Sequence, residues 1–222
     1  MDYSLDFSWL ADAVSLIGNG ALVTVFLIVA SALLGTLISV LGAAGRRSPY
    51  AAIRKGVAAY VELIRNTPFL AQLFFIYFGL PSLGLRLNPF VSAILAMTVN
   101  LAAYGIEIVG AGLDAVPAGQ REAGRTLGLR PAQIFIKIVL PQALKVIFPA
   151  LTSQIVITML ESAAVSQIAV RDLTYEADLL QARTFRSFET YLIVTLVYLL
   201  LSVALRRLML AGDKRFLPAR IR

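Results

Sequence analysis

Long apolar runs, separated by short polar stretches, dominate the pattern of residues along this chain. Five runs are visible, at about residues 20–42, 52–79, 90–113, 142–169 and 189–210. A helix needs about 20 predominantly apolar residues to cross a bilayer, and each run reaches that length. The pattern therefore predicts an all-α membrane protein with five transmembrane helices in one domain, residues 1–222.

Local signals place the ends of some of these helices. Asn88 followed by Pro89 is a good start for the third helix, since an asparagine caps the helix and a proline needs no backbone donor. The Gly18-Asn19-Gly20 sequence predicts a break before the first span. The preceding residues, with Phe7, Trp9 and Leu10, are then expected to form a short amphipathic segment on the outer surface.

Composition agrees with a membrane protein and excludes some chemistry. Hydrophobic residues make up 59% of the chain and charged residues 15%, against about 45–50% and 25% in soluble domains. The chain has no cysteine and no histidine, which excludes disulfides and thiolate or imidazole metal sites. The net charge of +7 comes from basic residues beside apolar runs, so we interpret them as topology anchors and expect no nucleic-acid partner.

The distribution of Lys and Arg predicts the orientation. With the N-terminus outside, only Arg86, Arg171, Arg183 and Arg186 lie outside. The inner loops and the tail then carry Arg46, Arg47, Arg54, Lys55, Arg121, Arg125, Arg130, Lys137, Lys145, Arg206, Arg207, Lys214, Arg215, Arg220 and Arg222. Because cytoplasmic loops carry the excess of basic residues, the N-terminus is predicted outside and the C-terminus in the cytoplasm.

The inner loop 114–141 has a sequence that predicts two short helices. Residues 120–127 form the first, and Gly128 ends it because glycine adopts the left-handed conformation most easily. Pro131 starts the second, whose apolar face carries Ile134 and Ile138. The two short helices are predicted to form a compact unit, called the knob. The alternative interpretation is an amphipathic loop that packs on its own helix bundle.

A phosphate-loop pattern in this region is rejected. Gly119, Gly124 and Thr126 have nearly the required spacing, but Arg125 stands where the motif needs lysine. No strand precedes it, as the motif requires. We therefore expect that this chain does not itself hydrolyse ATP.

Polar residues inside the third and fourth runs recur at helical spacing. Charged groups in a bilayer are unfavourable, so such stripes face a cavity or a partner helix. We hypothesise that six of these residues line a substrate path, with contacts between helices as the alternative. They are Asn100, Tyr104, Gln154, Thr158, Glu161 and Ser162.

Three further charged residues in the runs have structural interpretations. Glu107 shares the face of Asn100 and lies nearer the inner loop, so it is expected to brace that loop. In the second run Glu62 and Arg65 are three residues apart, which favours an intrahelical ion pair with a structural role.

The inner loop also carries a family resemblance. Glu122-Ala123-Gly124, Gly128 four residues later and Ile138-x-Leu140-Pro141 resemble the EAA loop of permeases of ATP-binding-cassette (ABC) importers, with Gly124 in place of the third alanine. In that family the loop forms a coupling helix seated in a groove of the ATP-binding subunit. The resemblance implies that role for Glu122, Ala123, Gly124, Arg125, Leu127 and Gly128.

Two more motifs narrow the resemblance to permeases for polar amino acids. Arg65-Asn66-Thr67-Pro68 resembles an Arg-Gly-Thr-Pro signature, and Ala103-Tyr104-x-x-Glu107-Ile108 resembles a second one; the likeness spans about residues 15–212. Many relatives have Lys-Asp-(Ser/Thr)-Ser where this chain has Leu160-Glu161-Ser162-Ala163. Because this chain lacks the lysine, the substrate specificity of those relatives is not carried over to it.

The resemblance implies a type I importer fold, alternating access and several partners in a bacterial inner membrane. These are two ATP-binding subunits that bind ATP and magnesium, an external amino-acid-binding protein, and a second permease chain, identical or paralogous. This chain is expected to bind no cofactor, and segment 171–186 to face the binding protein, with a solvated loop as the alternative. A competing hypothesis is a channel-like or non-transporting subunit that docks a cytoplasmic partner. A membrane enzyme has little support, because histidine and clustered catalytic acids are lacking.

Overall fold

The computed structural model describes residues 4–216, with side chains through residue 211, and every regular element in that part of the chain is helical. Four helices are long and apolar enough to cross a membrane, and the number rises to five if a strongly bent pair of helices forms one span. The elements in chain order are α1 (Leu10–Gly45), α2 (Ala51–Arg65), α3 (Phe69–Leu83), α4 (Pro89–Asp114), α5 (Ala118–Thr126), α6 (Pro131–Ile168), α7 (Leu173–Thr184) and α8 (Ser187–Phe216).

The predicted second span is broken rather than continuous. Helices α2 and α3 meet at an angle of 110°, because Pro68 has no amide hydrogen and disfavours helical geometry in the residue before it. Side chains satisfy the carbonyls freed at the end of α2: Asn66 Nδ2 donates to the Glu62 carbonyl at 2.7 Å and Gln72 Nε2 to the Ile64 carbonyl at 2.7 Å. The backbone groups freed by the break are therefore satisfied within the protein, as a membrane environment requires.

The first helix starts earlier than predicted and has no break at its glycines. Helix α1 runs unbroken from Leu10, so the expected separate surface segment is wrong. Gly20 serves close packing instead, since a Cβ there would lie 2.9 Å from the Asp172 carbonyl oxygen and from Leu173 Cα. Without a side chain at this position, α1 packs directly on the start of α7.

Helix α4 forms the centre of the bundle, between α1 and α6. Its predicted N-terminal cap is confirmed, because Asn88 Oδ1 accepts from the Val91 amide at 2.8 Å. Small residues such as Ala96 and Ala102 are fully buried on it. They allow the neighbouring helices to approach closely, as is common where helices pack in membranes.

Helix α6 is longer than the predicted fourth span. It begins at Pro131 rather than at residue 142, so the second half of the predicted knob is the first part of a long helix of 38 residues. The helix passes through a π-helical stretch, Phe135–Val139, and continues through Pro149. Its last turns, Ser162–Ile168, are 3₁₀-helical, and Ala169 ends it in the left-handed conformation.

Basic side chains gather where α1 and α4 end, and this part of the bundle is called the basic end. Arg47 pairs with Asp114 at 2.6 Å, and Arg121 donates to the Leu113 carbonyl at 2.8 Å. The opposite end, with α7, is called the far end. The predicted anchors Arg220 and Arg222 lie outside the described residues, as do the side chains of Lys214 and Arg215.

The acidic residues of segment 171–186, which is predicted to face the binding protein, make contacts inside the chain. Asp172 and Glu176 are buried, and the carboxylate of Asp178 accepts a hydrogen bond from Tyr191 at 2.7 Å. Asp172 accepts from the Tyr175 amide at 2.9 Å and so caps α7, while its second oxygen accepts from the Tyr198 hydroxyl at 3.3 Å. These carboxylates hold α7 in place.

Asp172 makes the stability of the far end depend on pH. Burial raises the pKa of this carboxyl to about 6, although hydrogen bonds from Tyr175, Thr174 and Tyr198 lower it. Between about pH 4 and 6 the folded state then holds more protons than the unfolded state, so stability falls as pH rises. We expect Asp172→Asn to flatten this slope in the apparent Tm of the detergent-solubilised protein, and an unchanged slope would contradict this role.

Candidate coupling loop and translocation site

The predicted knob begins with a short helix that ends at Gly128. Helix α5 covers Ala118–Thr126, and Gly128 has a φ of 72°, as predicted for the residue that ends it. The closing hydrogen bonds run from the Gly128 amide to the Arg125 carbonyl at 2.9 Å and from the Leu129 amide to the Gly124 carbonyl at 3.1 Å. The chain then enters α6 at Pro131, after the four-residue connection 127–130.

Packing beneath α5 fixes its position against α6. Gly124 is buried, and a Cβ at this residue would lie 3.0 Å from Ile134 Cγ1 and 3.0 Å from Ile138 Cδ1. Gly124 therefore packs against α6, and its role in ATPase coupling stays a prediction. The cause is the amphipathic pattern of α5, which turns this one position towards α6.

The outer face of α5 and its following turn is called the coupling face. It consists of the remaining predicted residues, all exposed: Glu122, Ala123, Arg125, Leu127 and Gly128. Leu127 is 78% exposed. One carboxylate, one guanidinium and one exposed leucine on a short rigid helix form a surface suited to a groove of complementary shape.

Glu107 does not brace the loop as predicted. Its carboxylate forms an ion pair with Arg46 at the end of α1 and lies 3.9 Å from the Arg65 guanidinium of α2. These contacts join three helices near the basic end. Arg121, through its bond to the Leu113 carbonyl, is the residue that ties the loop to α4.

The predicted structural pair between Glu62 and Arg65 does not form. Among the described residues, no lysine or arginine nitrogen lies within 4.0 Å of the Glu62 carboxylate. Arg65 turns to α4 instead, where its guanidinium carbon lies 5.4 Å from the centre of the Tyr104 ring, within the range of a cation–π contact. The reason is that α4 offers both a carboxylate, at Glu107, and an aromatic face.

Asn100 is buried in the middle of the bundle and contacts the broken helix. Its Nδ2 donates to Gln72 Oε1 at 3.0 Å, and Gln72 in turn donates to the Thr67 carbonyl at 3.0 Å. The side-chain amide of Asn100 thus connects α4 to the break between α2 and α3. Its own oxygen Oδ1 is buried without a hydrogen-bond partner among the described residues.

Three of the predicted path residues lie on the last turns of α6. The Thr158 hydroxyl donates to the Gln154 carbonyl at 3.0 Å, and the Ser162 hydroxyl to the Met159 carbonyl at 2.7 Å. Glu161 has one oxygen, Oε2, buried without a partner within the described part of the chain. The final 3₁₀ turns contact α3 and α4, so this region and the Asn100 region belong to one interior.

Buried polar atoms without a partner are uncommon and indicate a ligand, a water or a functional strain. Asn100 Oδ1 and Glu161 Oε2 are both hydrogen-bond acceptors. Gln154 is half-buried on α6, and Tyr104 is half-buried beside Arg65. The predicted set thus falls into a buried group around Asn100 and Glu161 and a second group around Tyr104.

Sequence reasoning missed Gln72 and Arg46. Gln72 is the only strongly polar side chain in the run after Pro68, and that isolation was a usable signal. Arg46 was assigned to topology alone because it lies among basic loop residues. Its pairing with Glu107 depends on how α1 packs beside α4, which residue spacing within one helix does not reveal.

A bundle of membrane-spanning helices with polar groups buried inside it is the architecture of a multi-pass membrane protein. The sequence profile of the family described as "Binding-protein-dependent transport system inner membrane component" matches residues 35–218. The chain belongs to this family and is the permease subunit of an ABC importer. In such systems the ATPase is a separate subunit.

Individual relatives agree with this assignment. The chain is 32% identical over 203 residues to the "Arginine transport system permease protein ArtQ" of Bacillus subtilis, which covers 91% of this chain and 93% of that protein. It is 41% identical over 147 residues to the "Probable glutamine ABC transporter permease protein GlnM" of Bacillus subtilis, covering 66% and 68% of the two chains.

Solved structures share the fold. A chain in the "Crystal structure of an amino acid ABC transporter with histidines" superimposes with a TM-score of 0.89 at 34% identity, covering 96% of this chain and 100% of that one. A chain of an inward-facing MetNI methionine ABC transporter superimposes with a TM-score of 0.67 at 24% identity, over 92% and 95% of the two chains. The second likeness concerns the fold alone.

Proposed function

We propose that this chain translocates a polar amino acid across the bacterial inner membrane by alternating access driven by partner ATPase subunits. The names of its relatives support an amino acid as the substrate class. The observation that carries the proposal is the pair of buried, unpartnered acceptors, Asn100 Oδ1 and Glu161 Oε2. An amino acid brings an ammonium group whose hydrogens such acceptors can bind.

The proposed path is lined by Asn100, Tyr104, Gln154, Thr158, Glu161 and Ser162. In this arrangement the break between α2 and α3 lies beside the path, because Gln72 next to the break holds Asn100. Interrupted helices near the bilayer midplane are common at transport sites, where backbone groups line a cavity. The helix break thus supports a substrate site at the level of Asn100 in the bundle.

The proposed topology has the N-terminus outside and the C-terminus in the cytoplasm. The basic end, with its arginines, then faces the cytoplasm, as expected for excess positive charge. The coupling face, including Glu122, Arg125 and Leu127, would contact one of the two ATP-binding subunits, which hold ATP and magnesium. The far end would meet an external amino-acid-binding protein, and a second permease chain, identical or paralogous, would complete the transporter.

The alternative is a channel-like or non-transporting subunit that only docks a cytoplasmic partner. It is favoured by the exposed coupling face, which would serve docking equally well. The two functions differ in one measurement: ATP hydrolysis by the assembled complex rises with an amino-acid-loaded binding protein if the chain transports. Unstimulated hydrolysis would favour the docking subunit.

The test of the proposed function is uptake of the twenty standard amino acids into liposomes that contain the assembled transporter. We expect Glu161→Gln to raise the KM for arginine or lysine by about tenfold or more, since hydrogen bonds to charged groups contribute about 1.5–3 kcal/mol. Lys55→Gln, which removes an exposed charge on α2 away from the proposed path, is the control. Unchanged uptake of arginine and lysine in the Glu161 variant would rule out this role for its carboxylate.

A further inference from the structure

A polar pocket of about 370 Å³ opens between the ends of α1 and α2 and the side of α4. It lies near the basic end, at the level of Tyr104 and Glu107, which are four and seven residues along α4 from Asn100. At 1.5 Å per residue the pocket is about 6–10 Å from Asn100 along the helix axis. The residues that line it are Arg46, Ala58, Val61, Glu62, Arg65, Asn66, Tyr104 and Glu107.

The pocket contains two arginines and two glutamates, but only one close ion pair forms between them. Arg46 and Glu107 form a close ion pair. Arg65 lies 3.9 Å from the same Glu107 oxygen, Oε1, and its side chain is 43% exposed. Glu62 has no cation within 4.0 Å among the described residues. One guanidinium with a weak partner and one carboxylate without a partner therefore face a common space.

This arrangement differs from an ordinary structural ion pair. Glu62 and Arg65 lie at a spacing that allows direct contact on one helix, yet each points into the pocket without reaching the other. A ligand that complements them needs one anionic and one cationic group within a small molecule. The zwitterionic head of an α-amino acid has that composition, and the pocket volume is within the usual range for small ligands, about 300–1,000 Å³.

We infer that this pocket is a second binding station for the transported amino acid, separate from the Asn100–Glu161 region. The inference rests on the proposed function, because it takes the substrate class from there. The Arg65 guanidinium donates to the α-carboxylate, an interaction favoured by the planar fork of its N–H groups. The Glu62 carboxylate accepts from the α-ammonium group.

The position of the pocket gives this station a place in the transport cycle. It lies between the buried acceptors and the basic end, so a substrate leaving the Asn100 region towards the cytoplasm passes it. Arg65 is the last residue of α2 and Asn66 is its C-cap, so this wall of the pocket is formed where α2 ends at the break. A ligand bound here contacts α2 and α4 together.

Direct binding with altered probes tests the station. The probes are the amino acid that the uptake panel shows to be carried fastest, its N-acetyl derivative, which lacks the ammonium, and its methyl ester, which lacks the carboxylate. Calorimetric titration of the nucleotide-free transporter complex in detergent measures each Kd for wild type, Glu62→Gln and Arg65→Gln. Asp12→Asn and Arg86→Gln remove exposed charges elsewhere and serve as matched controls.

We expect each variant to weaken binding of the free amino acid at one of two sites by about tenfold or more. Glu62→Gln leaves the affinity for the N-acetyl derivative unchanged, and Arg65→Gln leaves that for the methyl ester unchanged. A general loss of structure would instead weaken all three probes alike, and that result would overturn the inference, as would a single binding site or unchanged affinities. If the wild-type transporter takes up none of the amino acids, the proposed function itself is refuted. If wild-type uptake is normal but the Glu62 and Arg65 variants change the affinity for all three probes alike, only this station is refuted.

Discussion

The Glu122→Arg variant is expected to lose ATP-driven amino-acid uptake while the helical bundle stays folded. Glu122 lies on the coupling face, exposed and outside the packing between α5 and α6. Its only described contact within the loop is through its backbone carbonyl, which accepts from the Thr126 hydroxyl at 3.1 Å. The substitution therefore removes no tertiary contact of the side chain.

The expected loss of uptake in Glu122→Arg depends on which group of the ATPase subunit residue 122 would meet. In the proposed complex the carboxylate meets a basic group of the ATPase subunit, and the arginine would bring two positive charges together. Losing one partner of a buried charged pair at an interface costs about 2–5 kcal/mol, which corresponds to a roughly 30-fold or greater loss of productive coupling. Glu122→Gln removes the charge without repulsion and should have a smaller effect.

Uptake into liposomes, together with the elution volume and apparent Tm of the membrane part, measures this prediction. Lys55→Glu is the control, because it also reverses a charge on an exposed residue, on α2 and outside the coupling face. Normal uptake by the Glu122→Arg transporter would refute the coupling assignment. Lost uptake with a lowered Tm would indicate a folding defect and would also count against it.

Sequence patterns predicted the elements that depend on local chemistry. Glycine at position 128, proline at 131 and asparagine at 88 each act on the backbone within a few residues, so the end of α5, the start of α6 and the cap of α4 were predicted from them. The apolar runs predicted the spans for the same reason, since a bilayer requires helices of a certain length. These features need no knowledge of tertiary packing.

Features that depend on the neighbouring helix were not predictable in this way. Gly20 has the local signature of a break, yet the backbone of Asp172 packs against it and α1 continues. Arg65 has Glu62 at pairing distance in sequence, but Glu107 and Tyr104 of α4 attract it instead. In each case a partner distant in the sequence overrides a local preference.

The candidate site shows the same division. Spacing placed Asn100 and Glu161 on polar stripes, and both have buried acceptors without partners. Spacing did not predict the contact of Gln72 with Asn100 at the helix break or the ion pair of Arg46 with Glu107. Both contacts depend on helices that meet only after the chain folds.

Gly105→Val is expected to prevent normal packing of α1 against α4 and to lower the yield of folded protein sharply. A Cβ at Gly105 would lie 2.0 Å from Ser39 Oγ and 2.8 Å from Ser39 Cβ. The hydroxyl can rotate, but the Ser39 Cβ is fixed to the backbone of α1. Ser39 also donates to the Gly35 carbonyl within α1 at 2.7 Å and to the Ala102 carbonyl of α4 at 3.3 Å, so moving it breaks the hydrogen bond between the two helices.

Valine adds three carbons where one already collides, so the helices must separate along the largest helix–helix contact of the bundle. Inserting carbons into a packed core costs about 1–3 kcal/mol, and separation of α1 from α4 adds to this. Gly110→Val is the matched control, since a Cβ at Gly110 would meet only Arg47 NH1, at 3.8 Å. We expect that variant to keep the wild-type Tm.

A second-site change tests whether the Ser39 contact is the cause. Ser39→Gly removes both atoms that a new Cβ would meet, so we expect it to restore folding of the milder Gly105→Ala variant. The yield of monodisperse protein in detergent and its apparent Tm measure both effects. A Gly105→Ala protein that is as stable as wild type would refute the steric argument. A defect that Ser39→Gly does not relieve would show that the decisive contact of Gly105 lies elsewhere, such as with Leu151, whose Cδ1 would lie 3.8 Å from the added carbon.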